Sequence, residues 1–266
     1  MDQIEKPVYV EDPWKQPITK VEPNKVAVRG YALDELMGRV PFAHVVYLVL
    51  KGDLPDAARG RVMDAILVAS VDHGATPPSV LAARTVASGG APLTTAIAAG
   101  IMTINRHHGG AIEGCMRILL DAVAQKQETG ADALSVARDV VTSYRVQKKR
   151  IPGFGHRIHK DDPRTKRLFA LAEEEGLAGP YVEMGKALRA AMYEVLGKDL
   201  PMNVDGAVAA LLCEMEFPPE MGNGFFAIAR TVGLTAHVFD EIVHQRPMRR
   251  ISPVAQDYDG PAERKL

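Results

Sequence analysis

From Asp34 onward, apolar residues return every third or fourth position in ten successive stretches: 41–50, 61–71, 79–87, 92–104, 111–125, 131–146, 163–175, 180–196, 204–215 and 224–244. A period of about 3.6 residues puts such side chains on one face of a helix, whereas a half-buried strand alternates with a period of about two. A chain of amphipathic helices must bury those faces against one another, so the pattern predicts an all-α protein. Turn signals separate the stretches at Lys51-Gly52-Asp53, Gly89-Gly90, Gly130, Gly153-Phe154-Gly155, Gly176 and Pro218-Pro219. Asp162-Pro163 reads as a helix N-cap followed by the first helical position, where a missing N–H costs nothing. Residues 1–30 stand apart. Pro7, Pro13, Pro17 and Pro23 make that segment an extended arm, or a short strand followed by turns.

Charge and composition restrict the partners. The 32 Lys and Arg against 33 Asp and Glu leave a formal charge of -1, so no global field holds this protein to nucleic acid or an anionic membrane. Any anion site is local. The acidic N-terminus lacks the basic start of a signal peptide, and the longest apolar runs fall far below the roughly 20 residues that span a bilayer. Cys115 and Cys213 form no CxxC pair and cannot build a disulfide framework. The expectation is a soluble cytoplasmic protein.

Four short clusters beside glycines carry the chemistry: Val71-Asp72-His73-Gly74, Arg106-His107-His108-Gly109-Gly110, Pro152-Gly153-Phe154-Gly155-His156-Arg157 and Asn203-Val204-Asp205-Gly206. Imidazoles titrate near neutral pH and a carboxylate can be tuned upward by burial, which suits proton transfer at carbon and oxygen. Each cluster also has a plainer reading. Adjacent histidines face apart on a helix, and no Asp or Glu completes a familiar zinc spacing, so no metal is expected. His237 and His244 fall on the last long helix, where a satisfied structural histidine is the default. Asp205 reads equally as a helix cap or as a base. Gly179 to Lys186 resembles a phosphate loop but has one residue too many between its glycines and Ala187 where Ser or Thr belongs. No ATP site is expected. Lys148-Lys149-Arg150 reads as a solvated helix end that could meet a phosphate lying on the following glycine turn.

Taken in order, these clusters resemble the citrate synthase superfamily. The resemblance begins at Arg29-Gly30-Tyr31 with Tyr47 to Pro55, and ends at Ala227 to Gly233 with Arg246-Pro247. Between them lie Pro152 to Arg157 with Asp162-Pro163-Arg164, and His73 and His108 sit 35 residues apart, the spacing of the family's two histidine motifs. The resemblance implies a citrate synthase-like all-α fold with the active site in a cleft. A large helical domain (1–111 and 207–266) would carry a smaller inserted one (112–206). It also implies carbon–carbon bond chemistry between an acetyl-CoA methyl group and a keto acid such as oxaloacetate. By position, Asp205 would move the methyl proton, His108 would donate to the thioester oxygen, and His156 would handle the proton on the keto or hydroxyl oxygen. His73, Arg164, Arg230 and Arg246 would bind substrate carboxylates, with Arg246 reaching in from a second subunit of a homodimer or larger assembly. Pro152, Gly153, Gly155 and Lys160 would lie against coenzyme A. The thioester is substrate, and no tightly bound cofactor is implied.

Departures from the family pattern bear on the subtype. The chain is trimmed between Pro55 and Val71 relative to full-length synthases, and Gly74 stands where they usually carry an acidic residue. The short length, Asp72-His73-Gly74 and Asn203 to Gly206 resemble citryl-CoA lyase and the lyase portion of ATP-citrate lyase. The latter usually lacks a histidine at the position of His108. The first expectation is therefore cleavage of citryl-CoA to acetyl-CoA and oxaloacetate, with the ATP-dependent activation of citrate left to a separate protein. The alternatives are a compact citrate or 2-methylcitrate synthase, or a catalytically silent subunit that binds CoA or citrate.

Overall fold

The computed structural model describes residues 15–105, 108–155, 162–249, 259–260, 262 and 264–265. The chain divides into two compact units, Met1–Asp64 and Ala65–Leu266. In the first, β1 (Thr19–Glu22), β2 (Lys25–Val28) and β3 (Tyr31–Ala32) form an antiparallel three-stranded sheet, with Glu22 paired to Lys25 and Val28 to Tyr31. The sequence expectation of at most one strand was too low, because two-residue turns reverse the chain twice. The first is Pro23-Asn24, with Asn24 at φ 59, a proline followed by a left-handed residue. The second is Arg29-Gly30, with φ 49 and 89, the double positive φ that suits a tight hairpin. Arg29 is costly there, and its guanidinium compensates by donating to the Val49 carbonyl from Nε (3.1 Å) and Nη2 (2.8 Å). The helices α1 (Leu33–Leu36) and α2 (Phe42–Lys51) follow, and α2 stops at Gly52 with φ 111.

Helix α3 (Ala57–Ser70) runs into the second unit, whose regular elements among the described residues are all helices. There α4 (Pro78–Ser88), α5 (Leu93–Met102) and α11 (Gly222–His244) pack around Val80, Ala83, Ala87, Ala96, Leu234 and Val238. A second group comprises α6 (Ala111–Thr129), α7 (Ala133–Val146), α8 (Pro163–Glu174), α9 (Pro180–Leu196) and α10 (Val204–Glu214). The predicted helices agree with these boundaries to within a few residues, apart from the short α1. Asp162 caps α8 as expected, accepting from the Arg164 amide at 3.0 Å. Helix α10 is apolar around its whole circumference, and every residue from Gly206 to Cys213 is buried against α6, α8 and α9. Its first turn therefore presents Asp205 from the interior of this helical group. The segment beyond α11 is tied back onto α4. Buried Glu241 bridges Arg84 and Arg249, and the Met248 amide donates to the Ser88 carbonyl at 2.8 Å. Among the described residues, no helix is long and apolar enough to cross a membrane.

Candidate active site

Asp205 is not the cap of its helix. Asn203 takes that role, accepting from the Gly206 amide at 3.2 Å, which removes the cap reading and leaves the Asp205 carboxylate without that structural task. Asn203 also donates from Nδ2 to the Gly155 carbonyl (2.9 Å) and from its amide to the Gly153 carbonyl (3.0 Å). With Gly155 N–H donating to Pro201 at 2.8 Å, these bonds seat the 152–155 loop against the start of α10. The contact needs two glycines. A Cβ on Gly153 would lie 2.8 Å from Gly206 Cα, and a Cβ on Gly206 would strike the Gly153 carbonyl. Burial pushes the Asp205 carboxyl up to about 6, with Asp162 adding to the rise while Arg164 and Arg230 oppose it. A carboxyl at that value exchanges protons near neutrality.

Arg230 is the hub. Only 2% of it is exposed, and the Nη1 nitrogen finds no hydrogen-bond partner among the described residues. Its Nε donates to the Ser70 carbonyl at 3.2 Å, and its guanidinium carbon sits 4.5 Å from the centre of the Phe226 ring. Burial lowers its proton affinity, Asp72 and Asp205 raise it, and Arg164 lowers it, so these four charges share one field. Leaving a buried charged donor unmet is costly, and an anionic ligand would meet it.

His108 lies across the same ring. Its imidazole meets Phe226 edge-on, with centroids 5.6 Å apart, and its Nε2 is 2.8 Å from Ser79 Oγ. Burial, Arg230 and His73 all hold this imidazole below the usual histidine range, so it is neutral at pH 7. A neutral ring has a single N–H. If the Ser79 hydroxyl donates to Nε2, the proton sits on Nδ1 and is available to a ligand. Paired amide bonds of 2.8 Å between Asn105 and His108 fix the backbone that carries it. Arg164 folds onto its own helix cap, donating from Nε (3.0 Å) and Nη2 (2.8 Å) to Asp162, which is only 1% exposed.

The structure thus brings His73, His108, Arg164, Asp205 and Arg230 into one electrostatic neighbourhood, with the Pro152–Gly155 loop beside Asp205. Arg246 is exposed on the segment after α11. His156 and Lys160 lie outside the described residues. Sequence reading passed over two members. Phe226 is separated from Arg230 by one helical turn, an i, i+4 spacing that was legible. Ser79, a buried serine in the first turn of α4, gave no signal until its neighbour across the fold was known. Among the described residues, no three His, Cys, Asp or Glu side chains are gathered in a way that could hold a metal ion.

Comparison with known proteins gives this neighbourhood a context. Residues 55–251 match the model of the C-terminal domain of citrate synthase. The 2-methylcitrate synthase of Shewanella oneidensis is 32% identical over 84% of this chain and 56% of its own length. The chain spans about half the length of the curated synthases it matches. Among solved structures, citryl-CoA lyase from Hydrogenobacter thermophilus superposes with a TM-score of 0.87 at 39% identity, over 95% of this chain and 97% of the other. Citrate synthase from Thermotoga maritima superposes with a TM-score of 0.69 at 25% identity, over 86% of this chain and 60% of the other.

Proposed function

This chain belongs to the citrate synthase family, and on that premise we propose that it cleaves citryl-CoA to acetyl-CoA and oxaloacetate. The observation that carries the choice of subtype is the near end-to-end likeness to the Hydrogenobacter lyase, against likeness to only part of each synthase. In this reading the citryl carboxylates lie on Arg230, Arg164 and His73, and the idle Nη1 of Arg230 supplies the buried donor. His156 accepts the hydroxyl proton, and the carbon–carbon bond breaks with its electrons flowing toward the thioester carbonyl. His108 Nδ1–H stabilises the enolate oxygen that forms. The neutral state of His108 fits this role, since a donor aligned in a water-poor site stabilises developing negative charge without itself being ionised. Asp205, held near pH 6 by burial, returns a proton to the methylene carbon and makes the acetyl methyl group.

The 152–155 loop would bear on coenzyme A, with Lys160 and Lys148 to Arg150 as cations for its phosphates. Residues 112–206 would act as the smaller domain, closing on substrate to exclude water. The thioester is substrate, no tightly bound cofactor is used, and the free buried state of Cys115 and Cys213 fits the reducing cytoplasm. We read the protein as a homodimer in which Arg246 completes the partner's site. Val232, Phe239 and Val243 are exposed at helical spacing along α11, an apolar stripe suited to a second copy. A fully active monomer by light scattering would refute that part.

The test is turnover of citryl-CoA with oxaloacetate coupled to NADH oxidation by malate dehydrogenase. Steady NADH loss supports the proposal, and no loss from protein that still binds CoA refutes it. A second reading, condensation with hydrolysis to citrate, is favoured by the retention of His108 on its Ser79 support. It predicts release of free thiol from acetyl-CoA plus oxaloacetate.

A further inference from the structure

Helix α11 presents Arg230 and, two turns later on the same face, His237. His237 is only 19% exposed at its side chain, and its Nε2 lies 3.0 Å from Oδ1 of Asp72. The other oxygen of Asp72 accepts from the Gly74 amide at 3.0 Å. That bond closes an Asx turn whose middle residue is His73, and the chain leaves it through Gly74 at a left-handed φ of 77 that glycine adopts without strain. The same helix grips the residues that lead into the turn. Arg230 Nε holds the Ser70 carbonyl, and Gly233 leaves room for Val71 and Asp72, since a Cβ there would strike the Val71 carbonyl and lie 2.9 Å from Asp72 Oδ1.

We propose that His237 is a positioning residue which, through Asp72, anchors the turn carrying His73 and so fixes the place of that imidazole in the site. The inference rests on the proposed substrate-binding role of His73. The arrangement makes one helix the ruler for two ligand groups. Burial alone would raise the Asp72 carboxyl, but the Gly74 amide, His237 and the His73 amide more than reverse this, so Asp72 stays ionised and keeps both bonds at working pH. A surface histidine with a structural task alone would need neither the turn nor the shared helix. A misplacement of about 1 Å in a group that orients substrate is enough to cost a large factor in turnover or affinity.

The experiment compares His237→Leu, His237→Gln and His73→Asn in citryl-CoA kinetics, with citrate binding by calorimetry as a second readout. Glutamine can place a donor near the imidazole Nε2, whereas leucine cannot. The expected result is a roughly tenfold rise in KM and in the citrate Kd for His237→Leu, with kcat within about twofold and recovery in His237→Gln to within about threefold. His237→Leu combined with His73→Asn should lose no more than His73→Asn alone. If His237→Leu folds poorly by circular dichroism, Asp72→Asn weakens the same link from the other side and should raise KM alike. An unchanged KM in His237→Leu, equal loss in leucine and glutamine variants, or losses that multiply with His73→Asn would overturn the proposal while leaving the role of His73 intact. An unchanged KM in His73→Asn would instead remove the role of His73 and the proposal with it.

Discussion

Replacing Asp205 by asparagine should make the protein more stable and nearly inactive at once. Burial lifts the Asp205 carboxyl from the usual 3.8 to about 6, so keeping it ionised inside the fold costs stability wherever the pH exceeds that value. Two pKa units at about 1.4 kcal/mol each give roughly 3 kcal/mol at pH 8. Asp205 is partly open to solvent, so water screens some of this and about 2 kcal/mol is the working figure. The sign follows from the direction of the shift. A carboxyl raised in the folded state takes up its proton first in the fold, so its penalty is complete above about 6 and disappears as pH falls below the unfolded value near 3.8. Asparagine has the same shape without the charge. The Asp205→Asn protein should therefore melt roughly 4–8 °C above the parent at pH 8, and the gap should shrink to about one degree at pH 4. Its turnover should fall by about 10²- to 10⁴-fold, since a positioned acid or base is lost while the binding groups remain. Melting curves by circular dichroism at the two pH values, alongside citryl-CoA kinetics, decide the matter. A variant no more stable than the parent at pH 8, or a gap that does not shrink with acid, would refute the buried-carboxylate reasoning.

Three further outcomes follow from the same geometry. In the proposed reaction cleavage needs the proton on Asp205 and condensation needs it off, so kcat/KM for citryl-CoA cleavage should decline as pH rises through about 6 while condensation increases over that window. Arg230→Lys keeps the charge but loses the planar fork and its idle donor, so citrate measured by calorimetry should bind roughly 10- to 100-fold more weakly. Gly206→Ala drives a methyl group into the Gly153 carbonyl, and backbone cannot swing away as a side chain can. It should cost about 1–3 kcal/mol in denaturant unfolding and reduce kcat more than binding, because Asp205 is the next residue.

The helices were legible because their apolar faces repeat, and the two-residue signal Asp162-Pro163 located the start of α8 correctly. The N-terminal sheet was not, because prolines were read as interruptions when Pro23 in fact begins a turn between paired strands. At the site, the resemblance named His73, His108, Arg164, Asp205 and Arg230, while spacing alone left Asp205 balanced between cap and base. The hydrogen bond from Gly206 to Asn203 removes the cap reading, since Asn203 holds that place. Ser79 and the Asp72–His237 pair stayed hidden for a simple reason. The two contacts join residues 29 and 165 positions apart, respectively, and no local pattern encodes contacts of that range. The histidine set aside as structural is the one that fastens the His73 turn.

The most direct measurement offers the protein citryl-CoA alone and identifies the products by mass spectrometry. The account predicts acetyl-CoA and oxaloacetate in equal amounts, formed by the parent protein and lost in Asp205→Asn. Citrate with free coenzyme A, the products of hydrolysis, or unchanged citryl-CoA would contradict it.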